Sequence, residues 1–202
     1  MEVELIKKNV SENGFYHLKN VSQHFVDKIV YELGTTLFIT DIIERDNGRV
    51  LNSSTDMFLH TDQPDAHYLI WHCLKQAETG GETVLMDVQL AFDYLPAKHR
   101  NALAEIQLKL DFQRGDQTHP FYDNGKFFYS PSLLLQNYSL EQQLAVAAFK
   151  TAIELAPKLI IKLEDNDFFV LDNTKFLHGR KSFKALSNRH LKRYLIADFQ
   201  LA

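Results

Sequence analysis

Short strand-like segments outnumber helical patterns in this chain, and the two kinds do not alternate regularly. Runs of β-branched and aromatic residues, separated by turn signals such as Asp46-Asn47-Gly48 and Thr79-Gly80-Gly81, predict about nine strands. Of about four helical patterns, the strongest runs from Ser139 to Ala156, where Ser139 and Gln142 have the spacing of a capping box. A doubly wound sheet requires regular strand–helix alternation. We therefore predict a mainly β fold with flanking α-helices, in the form of a β-sandwich or jelly roll.

No linker, internal repeat or low-complexity stretch divides the chain. Its 202 residues therefore predict a single domain, residues 1–202, which is long enough to bury a core without disulfides or a structural metal. The 15 Phe and 8 Tyr residues suit the packed faces of β-sheets and support the prediction of a β-rich core.

Charge and cysteine content narrow the class of protein further. The net charge of −4 gives no electrostatic reason to expect nucleic acid or an anionic membrane as a partner. The first residues, MEVELIKKNV, lack the apolar run of a signal peptide, and no stretch is long and apolar enough to span a bilayer. The single cysteine, Cys73, excludes an intrachain disulfide. We therefore expect a protein of the reducing cytoplasm, with its oligomeric state left open.

The segment Phe58–Asp62 carries the first candidate metal ligands. On a strand, residues two apart point to the same face, so His60 and Asp62 would direct an imidazole and a carboxylate to one point. Two histidines and one carboxylate form the ligand set that holds non-heme Fe(II) and leaves positions open. The pair alone is equally compatible with a surface histidine beside a turn aspartate. The third ligand must come from a distant strand.

A second segment, Phe168–Arg180, supplies a candidate for that ligand. A hydrophobic strand is followed by a short apolar piece that ends at His178. Two arginines, Arg189 and Arg193, follow in or near the last predicted strand. A guanidinium directed into a barrel interior needs an anionic partner, and a carboxylate matches its donor fork.

Four short motifs occur in an order and spacing typical of one enzyme family. They are HTD at His60–Asp62, GGET at Gly80–Thr83, DNTKFLHGRKSF at Asp172–Phe183 and NRHLKR at Asn188–Arg193. From about Met57 to its end, the chain resembles the Fe(II)/2-oxoglutarate-dependent dioxygenases of the TauD/TfdA type, which are similar in core to clavaminate-synthase-like enzymes. Each motif is unspecific alone, whereas the four in sequence are specific.

The resemblance implies a fold and a metal site. The family fold is a double-stranded β-helix, a jelly-roll-like core of the cupin type with flanking helices. By analogy, Fe(II) is held by His60, Asp62 and His178. The family consumes O2 and 2-oxoglutarate and releases succinate and CO2 while it oxidises a second substrate.

The resemblance also implies contacts for the two organic ligands. In the family, the far carboxylate of 2-oxoglutarate pairs with the arginine that matches Arg189, assisted by the hydroxyl that matches Thr83. In some members the arginine that matches Arg193 meets an anion of the substrate. The alternative is that Arg193 pairs with an acidic side chain of the protein, such as Asp198 or Asp172. Arg193 and Arg180 remain rivals for the cofactor role, since a one-residue slip in register turns a side chain to the opposite face. Thr83 can equally be an ordinary strand residue after a glycine turn.

The sequence departs from the family pattern in two places, and these bear on substrate choice more than on iron binding. The interval between His60 and His178 is short for the family, which predicts a trimmed lid. Asn166-Asp167 stands where Gly-Asp is usual before the strand that leads to His178, and asparagine tolerates positive φ better than most residues.

The expected reaction is hydroxylation of a small molecule, either amino-acid-like or another anionic metabolite. Desaturation, epoxidation and cyclisation use the same ligands and stay open. Halogenation is disfavoured because halogenases of this type replace the carboxylate of Asp62 with Gly or Ala. A catalytically silent jelly-roll binding protein and a protein hydroxylase are the alternatives from other classes, whereas the acidic net charge disfavours nucleic acid as substrate.

Overall fold

The computed structural model describes residues 2–44, 50–110 and 117–199, so the predicted turn at Asp46–Gly48 lies outside the described residues. Five α-helices lie in these ranges: α1 (Glu2–Asn13), α2 (Gln23–Leu33), α3 (Val88–Asp93), α4 (Ala97–Ala104) and α5 (Leu140–Leu155). The described strands are β1 (Phe15–Leu18), β2 (Thr35–Ile43), β3 (Met57–His60), β4 (Tyr68–Lys75), β5 (Thr83–Asp87), β6 (Gln107–Lys109), β7 (Thr118–Pro120), β8 (Tyr122–Asp123), β9 (Lys126–Phe127), β10 (Leu159–Ile161), β11 (Phe168–Asp172), β12 (Phe176–Arg180) and β13 (His190–Ala197). Short 3-10 turns lie at Val50–Asn52 and Pro131–Leu133.

Two antiparallel sheets form the centre of the molecule. The larger has the strand order β1-β11-β4-β13-β2 and the smaller has the order β10-β5-β12-β3. Strands that neighbour each other in a sheet are mostly distant in sequence, as the long connections of a jelly roll require. The two-stranded hairpins β6-β7 and β8-β9 stand apart from both sheets. The predicted mainly β fold with flanking helices and a jelly-roll core is confirmed.

Three hydrophobic clusters arrange the sheets and helices in layers. The first joins the facing sides of the two sheets and includes Trp71, Leu85 and Phe169. The second packs α1 and α2 on the outer face of the larger sheet, and the third packs α3, α4 and α5 on the outer face of the smaller one. Burial on both faces explains why β11 reads as an unbroken apolar run rather than an alternating one.

Local sequence signals account for several element boundaries. Ser139 and Gln142 form the predicted capping box at the start of α5, and the hydroxyl of Ser22 accepts the N–H of Phe25 at the start of α2. Asn166 has a φ of 67°, so the asparagine that replaces the usual glycine before β11 does adopt the left-handed conformation. Its N–H donates to the carbonyl of Cys73 at 2.6 Å, which joins this turn to β4.

Two elements differ from the sequence prediction. Helix α1 was not among the predicted helices, and it buries only Ile6 and Val10 along one narrow side. Strand β12, which contains His178, appeared in the sequence only as a short apolar piece, because its five residues include a glycine and end in an arginine. In the ranges that the structure describes, no helix has both the length and the apolar character needed to cross a lipid bilayer.

Candidate metal centre

Strands β3 and β12 place two histidines opposite each other. The two strands pair antiparallel with His178 directly across from His60, and the ring centroids are 4.3 Å apart. Strand β3 ends at His60, so Asp62 lies after the strand. The same-face argument had assumed that Asp62 lies on it. One ligand atom from each of His60, Asp62 and His178 nevertheless lies within 4.8 Å of the others. The donor set and spacing suit a two-histidine, one-carboxylate metal site.

Backbone contacts bring Asp62 into the cluster after the strand ends. The N–H of Thr61 donates to the carbonyl of Tyr129 at 2.8 Å, and the hydroxyl of Thr61 accepts the N–H of Tyr129 at 3.0 Å. The N–H of Asp62 itself donates to the side-chain oxygen of Asn173 at 2.8 Å. These hydrogen bonds therefore fix the backbone at Thr61 and at Asp62, from which the carboxylate projects.

Asn173 connects this segment to the turn before β12. Its amide nitrogen donates to the carbonyls of Gln63 and Ala66, at 3.2 and 2.9 Å, while its oxygen accepts from Asp62. The side chain is buried; its bond to Ala66 is buried as well, and the other two are partly buried. The sequence marked Asn173 only as part of a family motif, and this structural role was not predicted.

The surroundings of the two imidazoles suit metal binding. The Nδ1 atom of His60 lies 2.9 Å from the carbonyl of Phe58, which favours a proton on Nδ1 and leaves Nε2 as a ligand atom. Burial, followed by the charges of His60 and Arg193, lowers the pKa of His178 well below its ordinary value, so this ring is neutral. Nδ1 of His178 is buried and has no hydrogen-bond partner among the described residues.

The carboxylate of Asp62 is ionised and is paired with the guanidinium of Arg193. Burial opposes its ionisation, but the charge of Arg193, with smaller contributions from the two neighbouring imidazoles, outweighs this effect and lowers the pKa of Asp62. Nη1 of Arg193 lies 2.8 and 3.0 Å from the two carboxylate oxygens. The sequence had suggested Asp172 or Asp198 as protein partners for Arg193. Both of these aspartates instead contact the imidazole of His67.

The residues expected to bind 2-oxoglutarate line a narrow cavity beside the metal cluster. Thr83, His178, Arg189 and Arg193 are among its lining residues, and its volume is about 30 Å³. Because this space accommodates no more than one small polar group, a larger ligand also needs room from a neighbouring cavity. That cavity shares Leu51 and Arg193 with the first.

The neighbouring cavity is larger and opens at the exposed side of the metal cluster. It holds about 380 Å³, within the range of small-molecule sites. His60, Asp62 and Arg193 lie on its wall, together with apolar side chains such as Phe128 and Leu133. The arrangement presents a metal site to a pocket that combines apolar walls with one guanidinium.

The three predicted metal ligands thus come together, and Thr83, Arg189 and Arg193 lie beside them. The rival Arg180 also lines the narrow cavity, but its guanidinium already donates to the carbonyls of Leu51, Ser53 and Thr55. Trp71, which the sequence left between core and pocket wall, has its ring 5.3 Å from that of His178 and lines the narrow cavity.

The chain is similar in sequence to known proteins. The family model for the taurine catabolism dioxygenase TauD, TfdA family matches residues 20–195. A taurine hydroxylase-like protein, SAT17 from Stachybotrys chartarum, is 24% identical over 174 residues, which cover 75% of this chain. The match covers 45% of that relative, so the chain spans less than half of its length.

Solved structures of non-heme iron oxygenases share the fold. Asparagine oxygenase in complex with Fe(II), hydroxyasparagine and succinate aligns with a TM-score of 0.78 at 11% identity, covering 98% of this chain and 78% of that one. OrfP in complex with hydroxyarginine aligns with a TM-score of 0.76 at 16% identity, covering 97% and 79%. PvcB, an Fe, α-ketoglutarate-dependent oxygenase from an isonitrile synthetic pathway, gives 0.73 at 14% identity, covering 97% and 80%.

Proposed function

Because the chain belongs to the taurine catabolism dioxygenase TauD, TfdA family, we propose that it is an Fe(II)/2-oxoglutarate-dependent oxygenase. It hydroxylates a small molecule with O2 and releases succinate and CO2. The observation that carries the proposal is the convergence of His60, Asp62 and His178, whose ligand atoms lie within 4.8 Å of one another. In this proposal residues 1–202 form one catalytic domain in the cytoplasm, and the acidic net charge argues against a nucleic-acid substrate.

The protein's part in the reaction begins with the metal ligands. Bound Fe(II), together with 2-oxoglutarate and O2, supplies the oxidising chemistry. His178 offers a neutral ring at neutral pH because burial keeps its pKa low, and the carbonyl of Phe58 orients the ring of His60. Asp62 supplies the negative charge and is fixed through its own backbone by Asn173. His178 and Asp62 therefore need not lose a proton when the metal enters.

Arg189 and Thr83 are the proposed contacts for 2-oxoglutarate. Arg189 is 4% exposed and makes no ion pair with any carboxylate in the described parts of the chain. Thr83 is a buried residue that lines the same cavity, and its hydroxyl makes no hydrogen bond to the described residues. A buried guanidinium without an anion is costly, and a ligand carboxylate would relieve that cost. The two side chains therefore suit the far carboxylate of the cofactor.

Arg193 is the proposed contact for an anionic group of the substrate. Only its Nη1 atom is used by Asp62, and its Nε atom is buried without a partner in the described residues. The guanidinium also lies on the wall of the larger cavity, so a substrate anion can share it with Asp62. The solved relatives named for asparagine and hydroxyarginine make an amino-acid-like substrate one candidate, and other anionic metabolites are the second.

The decisive experiment is a combined metal and turnover assay. Wild-type protein should bind one Fe(II) under anaerobic conditions and, with O2, convert 2-oxoglutarate slowly to succinate even without substrate. His60→Ala, Asp62→Ala and His178→Ala should each abolish metal binding at micromolar iron. Unchanged iron affinity in all three variants would refute the assignment. A mass-shift screen of small acids and amines then separates hydroxylation (a gain of one oxygen) from desaturation (a loss of two hydrogens).

A further inference from the structure

The groups in direct contact with the Arg189 guanidinium are neutral. Its Nε donates to the side-chain oxygen of Gln76 at 3.1 Å, and its guanidinium carbon lies 5.3 Å from the ring centre of Phe183. Its two Nη atoms make no hydrogen bond with the described residues, and no described carboxylate pairs with it. Burial, followed by repulsion from Arg180, lowers the pKa of Arg189 to about 10, so the group remains charged at neutral pH.

The side chain of Gln76 is fixed at both ends. Its amide nitrogen donates to the carbonyl of Leu163 at 2.9 Å, and its oxygen also accepts the N–H of Ala77 at 2.9 Å. The backbone N–H of Gln76 donates to Asp165 at 2.8 Å. Because the nitrogen faces a carbonyl and the oxygen faces two N–H donors, only one orientation of the amide satisfies all these bonds.

Gly81 leaves space for this contact. A Cβ at Gly81 would lie 3.0 Å from the Gln76 oxygen and 3.2 Å from Nε of Arg189, and the residue has a φ of 76°. A side chain at Gly81 would therefore crowd both partners of the hydrogen bond as well as strain the backbone. The second glycine of the GGET motif thus allows the Gln76–Arg189 pair to approach.

We propose that Gln76 is a positioning residue that reserves Arg189 for the far carboxylate of 2-oxoglutarate; this inference rests on the proposed function. By occupying Nε, Gln76 closes the side of the guanidinium and leaves the end with Nη1 and Nη2 for bidentate pairing. Because the amide is neutral, it orients the arginine without neutralising its charge. A carboxylate at the same position would compete directly with the cofactor.

The test compares a charged and an apolar replacement of the same residue. Gln76→Glu and Gln76→Leu both lose the bond to the Leu163 carbonyl, and only Gln76→Glu introduces an anion beside Arg189. Gln143→Glu, on the exposed side of α5, is the control for the change in net charge. Calorimetry on the anaerobic Fe(II)-loaded proteins measures the affinity for two ligands. One is 2-oxoglutarate, and the other is 2-oxobutyrate, which has the same 2-oxo acid end and lacks the far carboxylate.

Gln76→Glu should weaken 2-oxoglutarate by about 30-fold or more, as expected when a desolvated ion pair loses one partner. Gln76→Leu should weaken it by about 10-fold, the lower end of the range for a hydrogen bond to a charged group. Both variants should retain the wild-type affinity for 2-oxobutyrate, and Gln143→Glu should bind both ligands normally. Equal effects of Glu and Leu, or an equal loss of 2-oxobutyrate, would overturn the inference. If the wild type does not bind 2-oxoglutarate, or Arg189→Met binds it normally, the proposed cofactor pocket fails as well.

Discussion

Asn173 offers the sharpest test of how the candidate metal centre is built. The buried amide makes three hydrogen bonds to the segment from Asp62 to Ala66, and Asn173→Ala removes all of them. At about 1 kcal/mol net for each bond, the variant should lose about 3 kcal/mol of unfolding free energy. Because the bond to the N–H of Asp62 orients a metal ligand, the affinity for Fe(II) should fall by about 10- to 100-fold.

The matched control is Asn52, another buried amide in the loop before β3. Among the described residues its side chain makes one hydrogen bond, to the carbonyl of Ile43 at 2.7 Å, so Asn52→Ala should cost only about 1 kcal/mol and leave iron affinity unchanged. Asn173→Asp is a second, nearly isosteric variant. It retains an acceptor for the N–H of Asp62 but turns a charged oxygen toward the carbonyls of Gln63 and Ala66, so it should be at least as destabilising as alanine.

Urea unfolding of the metal-free proteins, followed by Trp71 fluorescence, gives the stability change, and anaerobic calorimetry gives the iron affinity. If Asn173→Asp unfolds within about 1 kcal/mol of the wild type and binds Fe(II) within about threefold, the reasoning about this residue is refuted.

Three further predictions follow from charged or buried groups. Arg189→Met should weaken 2-oxoglutarate by about 30- to 4,000-fold, whereas Arg193→Met should change that affinity by less than about tenfold; direct titration decides, and the reverse order would contradict the two assignments. Burial opposes protonation of His67, but its contacts with Asp172 and Asp198 outweigh this and raise its pKa. The stabilisation from His67 should therefore be complete below the unfolded pKa of about 6.5 and fade as pH rises through the folded value, so His67→Asn should lose more unfolding free energy at pH 6 than at pH 8. Cys73 is buried and its pKa is raised to about 12, chiefly by desolvation, so a thiol reagent should modify it only in urea-unfolded protein; rapid labelling of the native protein would contradict this.

The sequence was sufficient to predict the fold class and the three members of the metal cluster. Periodicity and capping signals are local, and they located α5 almost to the residue. The prediction that His60 and Asp62 point to one site assumed that their strand continues to Asp62, whereas β3 ends at His60. The two side chains still meet because Tyr129 and Asn173, both distant in sequence, bind the backbone after the strand.

The contacts that the sequence did not predict are long-range and use side chains without a distinctive pattern. Asn173 and Gln76 are common polar residues, and nothing in their neighbours marks one amide as a support for a metal ligand and the other as a support for an arginine. The pairing of Arg193 with Asp62 was also missed, since the search for its partner considered only aspartates outside the metal motif. These roles depend on which strands face each other, and only the folded arrangement determines that.

The metal ligands and much of the larger cavity's wall come from different parts of the chain, and this separation affects how substrate specificity can change. The metal ligands and Asn173 belong to two short stretches, residues 57–62 and 172–178, whereas much of the larger cavity's wall comes from between them, with Leu110, Phe128 and Leu133. That intervening stretch is joined to the two metal-site stretches through its own backbone: the N–H of Tyr129 donates to the hydroxyl of Thr61, and the carbonyl of Gln63 accepts from the side chain of Asn173. Side-chain replacements in the intervening stretch do not remove these backbone groups. A library of substitutions at Leu110, Phe128 and Leu133 can therefore explore new substrates while the iron-binding unit stays intact.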